Sequence, residues 1–197
     1  QGSGSIGAGS ANFTFVNTGT VIANQSNALR IDASSGVTNT GTLRADGGTL
    51  QLQTTVNSGG GAIEARNGSQ VQLLNGAGIN NASFSATGVG SLITTTGGGL
   101  VTLGGGTVSG PLTVANSSAL RLTADVNYNG ILSLASAGNF TDLQLSGART
   151  LSGAATVQLT NNVNNRILGA NASGDSFTIA NGVTIQGSGA IGGNGLA

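Results

Sequence analysis

Short runs in which apolar and polar residues alternate recur along the chain, each closed by Gly, Asn or Ser. This is the pattern of half-buried strands joined by tight turns. Between Val16 and Ala86 one such pattern returns four times: VNTGTVIA (Val16 to Ala23), VTNTGTLRA (Val37 to Ala45), VNSGGGAIEA (Val56 to Ala65) and INNASFSA (Ile79 to Ala86). A second pattern follows each copy: LRI from Leu29, LQL from Leu50, VQL from Val71 and LIT from Leu92, with starts 21 residues apart three times running. Two linked patterns on one period predict stacked coils, because each coil can bury its apolar side only against the next.

Alternation also assigns faces. Aligned copies predict four inward columns: Val21, Leu43, Ile63 and Phe84; Ala23, Ala45, Ala65 and Ala86; Leu29, Leu50, Val71 and Leu92; and Ile31, Leu52 and Leu73, ending at Thr94. Outward, Arg44 aligns with Glu64, Asp46 with Arg66 and Gln51 with Gln72, so opposite charges and like amides are expected to meet between coils. Asn17, Asn39, Asn57 and Asn80 are expected in bends, using left-handed backbone and stacking as an amide ladder. None of the four begins an N-x-S/T triplet. The triplets at Asn12, Asn24, Asn67, Asn81, Asn116, Asn139 and Asn171 carry little weight in a chain so rich in Asn, Ser and Thr.

Residues 1 to 15 read as an opening coil offering Ile6, Phe13 and Phe15 for burial. After Gly97 the period loosens. Thr94 to Gly110, with two Gly triplets, is expected as a longer coil or protruding loop, and Asn161 to Gly174 as another excursion. Between and after them the strand pattern resumes at Pro111, Leu120, Ile131, Leu143, Thr156, Phe177 and Val183. The reading is all-β: a right-handed parallel β-helix (β-solenoid) of about 20–22 residues per coil and roughly eight or nine coils, forming one domain over residues 1–197. The competing architecture, an antiparallel sandwich or barrel, would pair chain-adjacent strands instead. QGSGSIG (Gln1 to Gly7) and QGSGAIG (Gln186 to Gly192) match at six of seven positions. The match predicts one unit of a longer tandem array, with Ile6 and Ile191 in one inward column.

Composition narrows the function. The chain is 38% hydrophobic, 6% charged and of net charge zero, with 36 Gly and a single Pro. That is too apolar for a disordered tail, and almost nothing interrupts a strand ladder. The six arginines are dispersed, so no concentrated positive field for nucleic acid is visible. No apolar run is long enough to span a bilayer. The opening residues lack the basic and apolar regions of a signal peptide, so an exported protein would carry this chain as an internal piece. His, Cys and Lys are absent. Their absence excludes disulfides, thiol and Schiff-base nucleophiles, Ser-His-Asp relays, histidine ligation of zinc, Lys-dependent phosphate loops and Lys-Asn crosslinks within the segment. The carboxylates Asp32, Asp46, Glu64, Asp125, Asp142 and Asp175 do not cluster in sequence, and no Gly- and Asp-rich calcium run occurs. No catalytic, cofactor-binding or metal-ligating residue is assigned, and no enzyme activity is expected.

Repeats of the form N-T-G-T-[VL]-x-A followed by A-L-R-I-D or T-L-Q-L-Q resemble the right-handed parallel β-helices of bacterial exported adhesins, such as filamentous haemagglutinin-type exoproteins and autotransporter passengers. The resemblance covers Val16 to about Gly104 well and the rest loosely. It implies a stalk or adhesive surface, secreted across the outer membrane. This segment departs from such proteins in carrying no recognisable secretion domain, cell-binding tripeptide or outer-membrane barrel. The expected function is a structural and adhesive segment of a bacterial cell-surface or extracellular fibre. Its expected partners are copies of the same unit end to end and host or matrix glycans, with no nucleic acid and no membrane insertion. The alternative is a ligand-binding solenoid for glycan or ice. Ice binding would want T-x-T pairs coil after coil. Thr18-Gly19-Thr20 and Thr40-Gly41-Thr42 match, but Ser58-Gly59-Gly60 and Asn81-Ala82-Ser83 end the array. Glycan binding would want exposed aromatics, whereas the one Tyr and five Phe mostly occupy positions that read as core.

Overall fold

Among the described residues, strands pair with strands one coil away, on both sides within the stack and on one side at its ends, and every such pairing is parallel. A computed structural model describes residues 1–8, 10–171 and 174–192 of the chain. Among them are twenty-one strands and no helix, wound into a β-solenoid of about eight turns. Each coil lays strands on three faces. The first face opens with Thr20–Ala23, Thr42–Asp46 and Ala62–Arg66. The second opens with Gly4–Ile6, Leu29–Ile31, Thr49–Leu52 and Gln70–Leu73. The third opens with Phe15–Asn17, Val37–Asn39 and Thr55–Asn57. Pairing one coil apart, rather than between chain neighbours, excludes the antiparallel sandwich.

The first two columns hold as expected. Val21, Leu43, Ile63 and Phe84 are consecutive register partners, as are Ala23, Ala45, Ala65 and Ala86. All are buried except Val21, which is half-buried on the first turn. The other two columns hold for three coils and then slip by one residue. Val71 pairs with Ile93, not Leu92, and Leu73 with Thr95, not Thr94. The turn Gly88–Ser91 is one residue longer than the turn Asn67–Ser69 that precedes it in the stack. Because side chains alternate with a period of two, that residue puts Ile93 and Thr95 inside and Leu92 and Thr94 out.

Thr94 to Gly110 does not protrude. Leu100–Ser109 is one continuous strand that rounds the corner between the third and first faces. Gly105 and Gly106 sit at that corner with φ of 85° and 96°, and the preceding Gly triplet forms an ordinary turn. Asn161 to Gly174 is also mostly strand, within Ala155–Gly169; Ala172 and Ser173 lie outside the described residues. Only Asn162 to Asn164 bulge out, where the register against Thr184–Ile191 breaks. Asn165 then turns back in, fully buried, its amide donating to the Thr160, Asn162 and Ser188 carbonyls at 2.8, 3.1 and 3.2 Å. Coil length therefore varies. Partners on adjacent coils are 20 residues apart at Arg44–Glu64, 24 at Asp142–Arg166 and 28 at Gln158–Gln186.

Three further expectations are corrected. Phe13 is exposed, while Ile6 and Phe15 pack against the core. The two terminal heptapeptides occupy different faces: Ile6 pairs with Ile31 on the second, and Ile191 with Ile167 on the third. They do not share a column, because the uneven coil lengths bring them round the solenoid by different amounts. The four Asn residues lie in strands, and none has positive φ; left-handed Asn backbone occurs instead at Asn12, Asn67 and Asn81. They form two pairs, not one ladder. Asn17 donates to Asn39 at 2.7 Å, both buried, and Asn80 donates to Asn57 at 2.8 Å on the outside. Thr38, not Asn39, pairs with Asn57, so Ser58 takes the inward place and accepts from Asn39 at 3.2 Å.

The buried Asn pair fastens the corner between the third and first faces. Asn17 also donates to the Thr42 carbonyl at 3.2 Å and Asn39 to that of Ala62 at 3.3 Å. The chain passes so closely over itself here that a Cβ on Gly41 would press into the Gly19 carbonyl oxygen.

Leu43→Asp is expected to be severely destabilising, by more than about 4 kcal/mol, because it places an unpaired carboxylate among Val21, Ile63 and their neighbours. Asn39→Ala, which orphans the Asn17 and Ser58 partners, is expected to cost about 2 kcal/mol. Urea titration of both variants checks the order and the sizes.

Candidate functional site

On the surface of a parallel stack, each outward side chain meets its register partners at strand spacing, and this decides where the charges go. Arg44 and Glu64 pair at 2.7 Å, as the alignment predicts, and Gln51 donates to Gln72 at 2.9 Å. Asp46 and Arg66 are register partners but do not bridge. Arg66 reaches the second oxygen of Glu64 at 3.0 Å, and Asp46 accepts from the Asn67 amide at 2.8 Å. The Glu64 carboxylate, with 14% side-chain exposure, holds both guanidinium groups, one on each oxygen.

The remaining carboxylates are likewise held. Asp32, just past the strand Leu29–Ile31, pairs with Arg30 at 2.9 Å. Asp125 accepts from the Thr150 N–H at 2.8 Å. Asp142 takes both arms of Arg166, at 2.8 and 2.9 Å. Asp175 accepts the backbone N–H of Asn171 and of Gly147, both at 2.6 Å, and the Asn171 side-chain amide at 2.8 Å. Those donors hold its carboxyl below the usual carboxylate range, the Asn171 N–H first among them. Among the described residues no three acidic side chains converge as a metal site would require. Tyr128 is buried with its hydroxyl donating to the Gly110 carbonyl at 2.8 Å, and burial pushes its pKa well up.

One place brings unlike chemistry together. At the corner between the second and third faces a groove of about 280 Å³ is lined by Asn75, Ser117, Arg121, Phe140, Asp142 and Gln144, with Gly98 and Gly99 in its wall. Phe140 is 57% exposed and carries the Arg166 guanidinium 3.6 Å from its ring centre. Arg121 donates twice to the Gln144 oxygen, at 2.8 and 3.1 Å, and Gln144 donates to Asp142 at 3.4 Å. A single network thus runs from Arg121 through Gln144, Asp142 and Arg166 to the Phe140 ring. A second polar hollow of about 480 Å³, lined by Asp32, Ser34, Gln53, Asn57 and Gly76 among others, lies along the same corner and abuts the first at Asn75–Gly76.

This groove was not assigned from the sequence. The strand runs at Leu120 and Leu143 were legible, but their alignment, which stacks Arg121 on Gln144 and Asp142 on Arg166, is set by coils of unequal length. The aromatics are also less uniformly internal than their sequence positions imply. Phe84 and Tyr128 are core, Phe15 and Phe177 half-buried, and Phe13 and Phe140 exposed. Of the Thr-Gly-Thr pairs, Thr20 and Thr42 are register partners on the first face, but Ala62 is the next partner, so no Thr array continues along the stack there. No protein family, curated protein or solved structure matches the chain.

Reversing Arg44 to Glu is expected to cost roughly 1 kcal/mol. Adding Glu64→Arg is expected to recover only part of it, because the new guanidinium faces Arg66; a double-mutant cycle in urea measures the coupling. The Asp175 contribution to stability is present above the unfolded carboxyl pKa of about 3.9 and is lost as pH falls through the lower folded value. Melting temperatures of wild type and Asp175→Asn should therefore differ at pH 6 and converge in strong acid.

Proposed function

We propose that this chain is a structural and adhesive segment of a bacterial cell-surface or extracellular fibrous protein, with no catalysis of its own. The observation that supports this reading best is the continuity of the ladder. From Gly4 to Ile191 each coil's backbone groups are paired to the next, and four of the six arginines lie in ion pairs, three of which reach between or along coils around Glu64 and Asp142. Such a stack extends in one direction and presents long faces to its surroundings, which suits a stalk or an adhesive surface. Its dispersed, paired charge offers little to nucleic acid, and no helix among the described residues is long and apolar enough to cross a membrane. Copies of the same unit, stacked end to end, are the proposed neighbours, since an outermost coil offers strand edges that another coil can pair. About eight coils at strand spacing make a unit roughly 40 Å long.

Display of the chain on a non-adherent bacterium is the direct test. Attachment to matrix-coated glass is expected to rise several-fold over cells displaying the Leu43→Asp variant, and equal attachment would contradict the adhesive role. For the stacking, electron microscopy of a concentrated sample should show thin filaments with an axial repeat near roughly 40 Å. Units joined through their sides would contradict it.

A further inference from the structure

We infer that the groove at the corner between the second and third faces is a binding site for an acidic glycan, with Phe140 as the stacking platform and Arg121 as the carboxylate contact. The inference rests on the adhesive half of the proposed function and names the chemistry that half would use.

Three observations converge on it. The first is the aromatic ring. Exposed Phe side chains are costly in water, and this one is held in place, one ring face covered by Arg166, which Asp142 in turn fixes through two bonds. A ring so fixed loses little entropy on binding, and an aromatic face is a good surface for the C–H side of a sugar ring. The second is charge. Arg30, Arg44, Arg66 and Arg166 each bridge to a carboxylate, whereas among the described residues Arg121 makes no ion pair and bonds only the neutral Gln144 oxygen. With Asp142 balanced by Arg166, the groove keeps one uncompensated positive charge, placed on a side chain suited to a carboxylate.

The third observation is shape. The second hollow lies along the same corner, its Gly76 next in the chain to Asn75 of the groove, so the two follow one another along the solenoid axis. The lining of Ser, Thr, Gln and Asn offers hydroxyls and amides to a chain of sugar hydroxyls. A linear saccharide fits such a trough; a compact ligand would fill only one hollow.

The test uses hyaluronan tetrasaccharide, which carries carboxylates, with the neutral N-acetylglucosamine tetramer as counterpart. Saturation-transfer and ¹⁵N-shift NMR on the intact chain read the binding. The expected result is binding of the acidic tetrasaccharide that weakens as salt is added, with shifts at Asn75, the Gly98–Gly99 turn, Arg121, Phe140 and Gln144, extending along the same corner to Gly76 and Gln53. Phe140→Ala and Arg121→Gln should each weaken it about tenfold, while Val89→Ala, 98% exposed in a different corner, leaves it unchanged. The neutral tetramer should bind at least several-fold more weakly. No binding, shifts at another face, equal affinity for the neutral tetramer, or affinity unchanged in both groove variants would each overturn the assignment. If the displayed chain still promotes attachment while the tetrasaccharide fails to bind, this site assignment falls and the adhesive reading stands.

Discussion

The structure depends on one constraint, the parallel hydrogen-bonded register between each strand and its counterpart one coil away. Backbone pairing at strand spacing fixes which side chains stack, and it does so for the core and the surface together. Leu43 over Ile63 and Arg44 over Glu64 are two consequences of the same alignment. Corners obey it too. Gly41 has to be Gly because the register brings the Gly19 carbonyl against it, and the Asn17–Asn39 bond exists because both strands end at the same height on their coils.

The same constraint explains why the surface is chemically quiet over most of its length. Within the stack an outward residue has stacked neighbours above and below, so most charged groups find partners in the fold before any ligand does. Arg44, Arg66 and Glu64 satisfy one another, and Gln51 and Gln72 do likewise. Chemistry directed outward arises where the stacked partner leaves a charge unbalanced. At the corner between the second and third faces Asp142 meets its register partner Arg166, Phe140 lies exposed beside that pair, and Arg121 stacks on an amide instead of a carboxylate. The groove proposed for a glycan lies there.

This also marks what was legible in the sequence. Parallel pairing and the two columns through Leu43 and Ala45 follow from residue type and period, which repeat with matched chemistry. The slip at Leu92 does not, because LIT and ITT are equally good strands and only the length of the Gly88–Ser91 turn selects between them. The Gly triplet at Gly104–Gly106 leaves a longer coil and a protruding loop equally open because Gly is an ambiguous signal: it marks loops, and it also marks corners where one backbone crosses closely over another. The aromatics mostly read as core, and no local pattern separates an inward ring such as Phe84 from Phe140, pinned outside by an arginine 26 residues later in the chain.

The register itself is open to direct measurement. The chain is 18.9 kDa, within reach of solution NMR after isotopic labelling. Parallel pairing one coil apart predicts cross-strand amide and Hα contacts linking the Leu50, Val71 and Ile93 strands in sequence, with Leu92 aligned to Gln70. Close Hα–Hα contacts between chain-adjacent strands such as Thr42–Asp46 and Thr49–Leu52, the mark of antiparallel pairing, would contradict the account.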